Sequence, residues 1–161
     1  MKNKKWLSAV ITTLILIALT ISAIAIVWVT VSNLLTGRLD AAESCMNIFD
    51  KVEINERYTC YDAPNFHFSI NIGDIEIEEV IVSVSGGAMT KSYILENNET
   101  NISGLGPYPD TSGEVKLPEK NSGRTYVTTD FLAIPDSVKV TPVVNGNQCE
   151  VSDSLLEIYS C

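Results

Sequence analysis

The sequence predicts an α+β protein: one long N-terminal hydrophobic transmembrane α-helix, followed by a small extracellular antiparallel β-sandwich head. Three observations predict it. Residues 6–35 contain no charge, no Gly and no Pro. Beyond residue 66, short segments alternate apolar and polar side chains with the period of a β-strand. All four cysteines follow the apolar run, as expected of a domain in an oxidising compartment.

The apolar run is long enough to cross a bilayer. Thirty helical residues rise about 45 Å, whereas the hydrocarbon core is about 30 Å thick. A secretory signal peptide has a shorter apolar region that ends in an A-x-A-like cleavage site, and no such site closes this run. Lys2, Lys4 and Lys5 precede the run and only Arg38 lies close to its other end. This asymmetry places the N-terminal side in the cytoplasm and the remainder outside.

Small and hydroxylated side chains recur along the apolar run at three- and four-residue spacing. They are Ser8, Ala9, Thr12, Thr13, Ala18, Ser22 and Ala25. Small residues let helix backbones approach closely, and hydroxyls can bond to the preceding turn. The pattern therefore allows two interpretations: a helix that packs against like helices, or a plain anchor in which these residues are tolerated.

The start of the chain resembles a known family. The segment Lys4-Lys5-Trp6-Leu7-Ser8-Ala9-Val10-Ile11, with the apolar residues that follow to about residue 35, is similar to the N-terminus of archaeal type IV pilins and archaellins. The resemblance implies that a prepilin peptidase cuts the Trp6–Leu7 bond, with Lys4 and Lys5 as the charged signal. It also implies that the helix stays with the mature chain and carries a β domain. Trp6 stands where the family usually has Gly or Ala.

We therefore expect a short basic cytoplasmic leader at residues 1–6, the pilin-type helix at residues 7–47 and an extracellular β-rich domain at residues 48–161. Strand-like patterns in that domain cover residues 67–72, 74–78, 80–84, 90–95, 114–117, 124–129, 138–144 and 155–159. Turn signals separate them at Gly86-Gly87, Asn121-Ser122-Gly123 and Asn145-Gly146-Asn147. Seven or eight short strands with such turns are typical of a small sandwich or partly open barrel.

Cys45, Cys60, Cys149 and Cys161 form no CxxC pair, and the sequence has one His. This pattern favours disulfides over a zinc site, with free buried thiols as the alternative. Four cysteines allow three connectivities. We favour the two that close short loops, Cys45 with Cys60 and Cys149 with Cys161, since each would contribute about 3 kcal/mol in the chain-entropy model.

The charge of the outer part excludes one class of partner. After Gly37 the chain carries 20 acidic and eight basic residues, a formal charge of −12. Nucleic acid is therefore not expected as a partner, because phosphate binding needs clustered Lys and Arg. Two Asn-X-Ser/Thr triplets begin at Asn98 and Asn101. They are candidate N-glycosylation acceptors in an exposed loop, or chance triplets.

No catalytic constellation is recognisable, and we expect no catalytic residue, metal or cofactor. Asp74, Glu76, Glu78 and Glu79 would begin a calcium site or, more simply, form the solvated face of a strand. His67 is interpreted as a surface histidine in preference to a general base, since no nucleophile motif accompanies it. Tyr108, between Pro107 and Pro109, either contacts a partner surface or covers the core.

These observations favour a structural function. The leading hypothesis is a subunit of an archaeal type IV pilus-like surface filament, whose partners are like subunits through the helix, membrane lipid before assembly, and the prepilin peptidase. The alternative is a single-pass membrane-anchored extracellular binding or adhesion module that forms no filament, which Trp6 favours. A membrane-tethered hydrolase with His67 in its site is a third hypothesis.

Overall fold

The structure, a computed structural model, describes residues 3–46 and 48–161. It contains one long apolar N-terminal helix and a mostly β body. The chain divides into two compact units, residues 1–40 and 41–161. Helix α1 runs from Asn3 to Met46, over 44 residues. The predicted extension of the helix beyond Arg38 is observed as far as Met46, and Asn47 lies outside the described residues.

The body consists of short strands and one 3-10 turn at Glu56–Tyr58. The strands are β1 (Val52–Ile54), β2 (Cys60–Asp62), β3 (Asn65–Ile72), β4 (Glu79–Gly86), β5 (Met89–Glu96), β6 (Thr100–Asn101), β7 (Leu105–Pro107), β8 (Glu114–Val115), β9 (Ser122–Thr128), β10 (Ser137–Val144), β11 (Asn147–Gln148), β12 (Asp153–Leu155) and β13 (Tyr159–Ser160). One sheet has the order β13-β2-β3-β9-β7, with β1 also paired to β3. A second has the order β11-β10-β4-β5, with β12 also paired to β10, and β6 pairs with β8.

Both large sheets contribute to one apolar core. The apolar residues of β3 alternate along the strand, and Phe66, Phe68, Ile70 and Ile72 are all buried; Ser69 between them is buried as well. Phe68 stacks on Tyr126 of its own sheet at 5.4 Å between ring centroids, and on Tyr93 of the other sheet at 6.1 Å. The valines of β4 and β10 complete the cluster. Core packing therefore joins the two sheets directly.

Two predicted turns form as their chemistry requires. Asn145 and Gly146 have φ angles of 50° and 70° and connect Val144 to Asn147, which pair directly. Two consecutive positive φ angles are the mark of a type I′ hairpin, which Asn-Gly favours. Between β4 and β5 the loop is Gly87-Ala88, where Gly87 has a φ of 60°. Gly86, by contrast, is the last residue of β4 and pairs with Met89.

The predicted strand at residues 74–78 is wrong. These residues, in which isoleucine and carboxylate alternate, form a connection between the two large sheets. The amide of Ile75 donates to Gly73 at 2.9 Å, which closes a tight turn, and Asn97 donates its side-chain amide to the carbonyl of Ile77 at 2.6 Å. Ile77 is buried and Ile75 packs on the core. The isoleucines therefore enter the core from a loop, without ladder hydrogen bonds.

The single strand expected at residues 155–159 is also wrong, because two strands occupy this region. β12 pairs antiparallel with β10, whereas β13 pairs parallel with β2. The chain crosses between the sheets at residues 156–158, where Ile158 is buried. The β2–β13 pair is the one parallel pairing in the described sheets, and all other pairs are antiparallel.

The favoured disulfide pairing is wrong as well. Cys45 bonds to Cys149 and Cys60 bonds to Cys161, with Cα–Cα distances of 5.5 and 5.1 Å. The parallel β2–β13 pair explains the second bond, since it aligns Tyr159 with Cys60 and the amide of Cys161 donates to Tyr61 at 3.1 Å. Each bond spans more than 100 residues, so strand order, and not loop length, selects the partners.

The Cys60–Cys161 bond is expected to stabilise the head strongly. The double substitution Cys60→Ala with Cys161→Ala should lower the free energy of unfolding by about 2–5 kcal/mol, because it frees a long loop in the unfolded chain. Urea denaturation of the full chain in detergent, followed by near-UV circular dichroism, measures this loss. The exposed Ser160→Ala is the matched control and should change nothing. Peptide mapping without reductant that linked Cys45 to Cys60 would contradict the pairing.

Candidate membrane helix and sites on the β head

Helix α1 contains a segment able to span a membrane by length and composition. Val10–Leu35 has 26 residues, a mean hydropathy of 2.7, and no burial of its most apolar window within the described structure. At about 1.5 Å per residue it extends about 39 Å, more than the roughly 30 Å of the hydrocarbon core. Its large side chains are exposed throughout, among them Leu14, Ile24 and Trp28. Such a segment serves as an anchor or as a signal sequence.

The hydroxyl groups of this segment are satisfied inside the helix. Thr13, Thr20, Ser22, Thr30 and Ser32 each donate to a carbonyl three or four residues earlier, at 2.6–2.8 Å. In hydrocarbon an unpaired polar group costs several kcal/mol, so each hydroxyl needs a protein acceptor. These five hydroxyl groups therefore require no hydrogen bond from water.

The two sides of the segment differ in shape. Ala18, Ser22 and Ala25 are exposed and lie on one face, since they are four and three residues apart. Another face carries a shallow hollow of about 430 Å³ beside Trp28, between Ala23 and Val31. Small residues allow the close approach of a second helix, so the first face is the one suited to tight packing.

The predicted signal-processing residues are Lys4, Lys5, Trp6 and Leu7. Their backbone is helical, and their side chains lie outside the described ones. Cleavage at the Trp6–Leu7 bond stays a prediction.

Both candidate glycosylation acceptors are exposed. Asn98 lies in the bend after β5, and Asn101 lies in β6 opposite Glu114. The adjacent Asn97 is turned inward to the carbonyl of Ile77, so the acceptor triplets begin where the chain leaves the core. Modification of either Asn stays a prediction.

The acidic run does not form one strand face. Asp74 accepts a hydrogen bond from Lys120 at 2.9 Å; this bond, together with one from Asn121 and the charge of Lys120, lowers the pKa of Asp74. The side chain of Asp74 is largely exposed, so this pair is a weak surface contact. Among the described residues, no three His, Cys, Asp or Glu side chains converge as a metal ion requires.

His67 lies on the outer face of the six-stranded sheet. Its ring meets Tyr108 edge to face, with 5.5 Å between centroids, and its buried Nδ1 has no hydrogen-bond partner among the described residues. Its neighbours across the sheet are Cys60, which is in a disulfide, and Val127. A catalytic function for His67 stays a hypothesis.

The loop that carries Tyr108 folds back tightly. A Cβ at Gly106 would lie 2.5 Å from the carbonyl oxygen of Asp110, so only Gly fits there. The amide of Tyr108 donates to Thr125 at 3.1 Å. Tyr108 covers His67 on the outside of the sheet and is still 60% exposed. Contact of Tyr108 with a partner surface stays a prediction.

A polar network centred on Asp130 was not recognised in the sequence. Lys91 pairs with Asp130, and Tyr93 donates its hydroxyl to the same carboxylate at 2.7 Å. Thr128 is a third donor at 3.1 Å. Lys91 also reaches the carbonyl of Ser103 at 3.4 Å, so the network fastens the loop after β6 to β5 and β9. The residues are up to 39 positions apart, and no local pattern signals them.

The network has clear electrostatic consequences. Burial alone would raise the pKa of Asp130, but hydrogen bonds from Lys91, Tyr93 and Thr128 and the charge of Lys91 hold that pKa below its ordinary value. Burial raises the pKa of Tyr93 above its ordinary value, so its phenol stays protonated and donates. Gly104 has a φ of 79°, and a Cβ there would lie 2.5 Å from the Asp130 carboxylate. The loop therefore closes directly over the network.

Fold and sites together define a class: a chain with one helix able to span a membrane and a disulfide-linked, mostly β body. Comparison of the chain with models of protein families, with curated proteins and with solved structures finds no match.

Asp130→Asn is expected to lower the free energy of unfolding by about 1–3 kcal/mol at neutral pH, because hydrogen bonds to a charged acceptor are lost. The folded pKa of Asp130 is depressed, so its contribution is complete above the unfolded value of about 3.9 and is lost as pH falls through the folded value. The difference between wild type and variant should therefore shrink below about pH 4. Urea denaturation at several pH values measures it. Asp110→Asn, at an exposed position, is the control, and an equal loss at every pH would contradict the electrostatic explanation.

Proposed function

We propose that this chain is a structural subunit of an archaeal type IV pilus-like surface filament, in which helices pack into the core and the β heads lie outside. The carrying observation is the segment Val10–Leu35, which is apolar on all sides, exposed in the described structure and free of unsatisfied hydroxyls. Such a surface must be covered by lipid or by other helices. The resemblance of residues 4–35 to pilins supports the second of these environments, in which other helices cover the surface.

Assembly on this proposal is a physical exchange and needs no catalytic group. Before assembly the helix lies in the bilayer, with Lys2, Lys4 and Lys5 on the cytoplasmic side. The prepilin peptidase cuts before Leu7 on that side, so the helix stays with the mature chain. Lipid contacts are then replaced by contacts with like helices, for which the Ala18, Ser22 and Ala25 face allows close approach. Many identical copies side by side make the exchange possible.

The β head occupies the extracellular exterior of the filament. Its two large sheets around one core act as the layers of a β-sandwich. Two disulfides fit an oxidising compartment and supplement a core that is small. The head sets the diameter and charge of the filament and provides its surface for adhesion.

The second candidate is a membrane-anchored extracellular binding module that never assembles in bulk. Trp6 favours it, since a bulky indole stands where prepilins usually have a small residue. Without cleavage the helix would remain in the bilayer as a single-pass anchor. The exposed face of Tyr108 is then a contact surface for a partner, because tyrosine combines a large apolar area with a polar tip.

Filament preparation separates the two candidates. Filaments sheared from source cells should contain this chain with Leu7 as its first residue, by electron microscopy and mass spectrometry of the subunits. Trp6→Gly should increase processing if the indole slows the peptidase, and Lys2→Gly, outside the predicted signal pair, is the matched control. Intact Met1 on a protein found only in membranes would establish the anchor and refute the filament. A soluble product without residues 7–35 would refute both.

Salt should promote assembly of the filament. The part of the chain after Gly37 carries a formal charge of −12, so neighbouring heads repel one another. Raising ionic strength from about 0.01 M to about 0.15 M shortens the Debye length from about 30 Å to about 8 Å. Sedimentation of the purified full chain should therefore shift from the supernatant to the pellet over this range. An unchanged distribution would show that head repulsion does not limit assembly.

A further inference from the structure

The apolar part of α1 is longer than the hydrocarbon that it would cross. Val10–Leu35 extends about 39 Å along the helix axis, whereas the hydrocarbon core is about 30 Å thick. To enclose the whole segment the helix would have to tilt by about 40°, the upper limit for membrane helices, whose average tilt is about 20°. At that average tilt about five residues of the segment lie outside the hydrocarbon. The length alone does not say at which end.

The two tryptophans of the chain distinguish the ends. Trp6 and Trp28 are the only tryptophans, and both belong to α1. Their 22-residue separation corresponds to about 33 Å along the helix axis. This distance crosses the hydrocarbon at a tilt of about 25°, close to the average. Tryptophan is enriched at both membrane–water interfaces, and the spacing of this pair fits one at each interface.

The indole of Trp28 gains from an interfacial position. Its side chain is 72% exposed, so it faces whatever surrounds the helix. Indole combines a large apolar ring with one N–H donor, and only an interface offers both hydrocarbon for the ring and acceptors for the N–H. If the bilayer enclosed all of Val10–Leu35, Trp28 would lie about 6 Å from the midplane. An N–H without an acceptor at that depth costs several kcal/mol.

Polar side chains become denser beyond Trp28. Residues 7–27 contain five polar side chains in 21 positions, whereas residues 29–35 contain three in seven, namely Thr30, Ser32 and Asn33. The hydroxyls of Thr30 and Ser32 are bonded inside the helix, but Asn33 is exposed and carries an amide with two donor hydrogens and an acceptor. With Trp28 at the interface, Asn33 lies about 7 Å farther out, where headgroups and water can satisfy its amide.

The charged residues agree with the same placement. Lys4 and Lys5 directly precede Trp6, and the next charged residue is Arg38, ten positions after Trp28. No charge therefore lies between the two tryptophans. Lysines beside an interface can place their ammonium groups among the headgroups, so both ends of the interval between the tryptophans are compatible with a boundary between hydrocarbon and water.

We infer that Trp6 and Trp28 mark the two faces of the bilayer, so that residues 7–27 cross the hydrocarbon and residues 29–35 stand at the level of the outer headgroups. The inference rests on the membrane placement that both candidates of the proposed function share. Val31 and Leu34, which are 43% and 62% exposed, then lie beyond the lipid tails. Such a mismatch favours association with a neighbouring helix, which would cover these side chains.

Depth-dependent fluorescence quenching measures this register. The full chain is reconstituted into phosphatidylcholine vesicles that carry bromine either near the headgroup or near the end of the acyl chains. Trp6→Phe leaves Trp28 as the only indole, and Trp28→Phe leaves Trp6. Each should lose more fluorescence to bromine near the headgroup, because each lies about 15 Å from the midplane. Leu19→Trp in a chain with both tryptophans replaced by Phe is the matched control and should be quenched most by bromine at the chain ends.

The outcomes separate the register from the membrane placement. Stronger quenching of Trp28, or of Trp6, by bromine at the chain ends would overturn the register and leave both candidate functions standing. Quenching of none of the three indoles by either lipid would mean that the segment does not enter the bilayer. That result would refute the register together with the membrane placement on which both candidate functions depend.

Cysteine labelling gives a second measurement that uses no tryptophan variant. Val31→Cys and Ile21→Cys, at positions exposed on the helix, are treated with a water-soluble maleimide while the vesicles are frozen and thawed, so that the reagent reaches both faces. The native cysteines are in disulfides and do not react. Val31→Cys should react, since it lies about 4 Å outside the hydrocarbon, and Ile21→Cys should not. Protection of both would overturn the register, and reaction of both would refute the membrane placement.

Discussion

The exposed apolar surface of α1 is the constraint from which the remaining interpretation follows. Between Val10 and Leu35 no side chain of the most apolar window is buried within the described structure, and water is a poor solvent for this surface. Five hydroxyl groups of the segment already donate to carbonyls inside the helix. Lipid and other helices are two environments that satisfy such a surface, and by length and composition the segment could be a membrane anchor or a signal sequence.

The stability of the small β head depends on several kinds of interaction. Its core is one cluster that both sheets share, and its connections repeatedly cross between the sheets, at residues 73–78 and at residues 156–158. The disulfides act on the ends of this arrangement: one fastens Cys45, in the last turn of α1, and the other fastens Cys161 beside β2. The Asp130 network acts in the middle, where it holds the loop after β6 to β5 and β9. Two disulfides and the charge-assisted hydrogen bonds of Asp130 thus supplement the packing of the apolar core.

Local patterns in the sequence predicted local structure well. The apolar run predicted α1, and the valines of β4 and the Asn145-Gly146 turn predicted their elements because each depends on a few adjacent residues. The errors arise where the structure of a segment is determined by residues distant in the sequence. Residues 74–78 alternate like a strand, yet the amide of Ile75 bonds to Gly73 and the carbonyl of Ile77 accepts from Asn97. Cys45 and Cys60 are close in sequence, yet strand order joins them to Cys149 and Cys161. The Lys91–Asp130 pair exists only once β5 and β9 are assembled, so no spacing rule could have found it.

Electrostatic repulsion and helix packing oppose one another in the filament that we propose. A formal charge of −12 after Gly37 favours separation of the heads, whereas the exposed apolar surface of α1 between Val10 and Leu35 favours association. Concentration in a membrane or along a helical core changes the balance without any new contact, since repulsion is screened by salt and the encounter becomes effectively intramolecular.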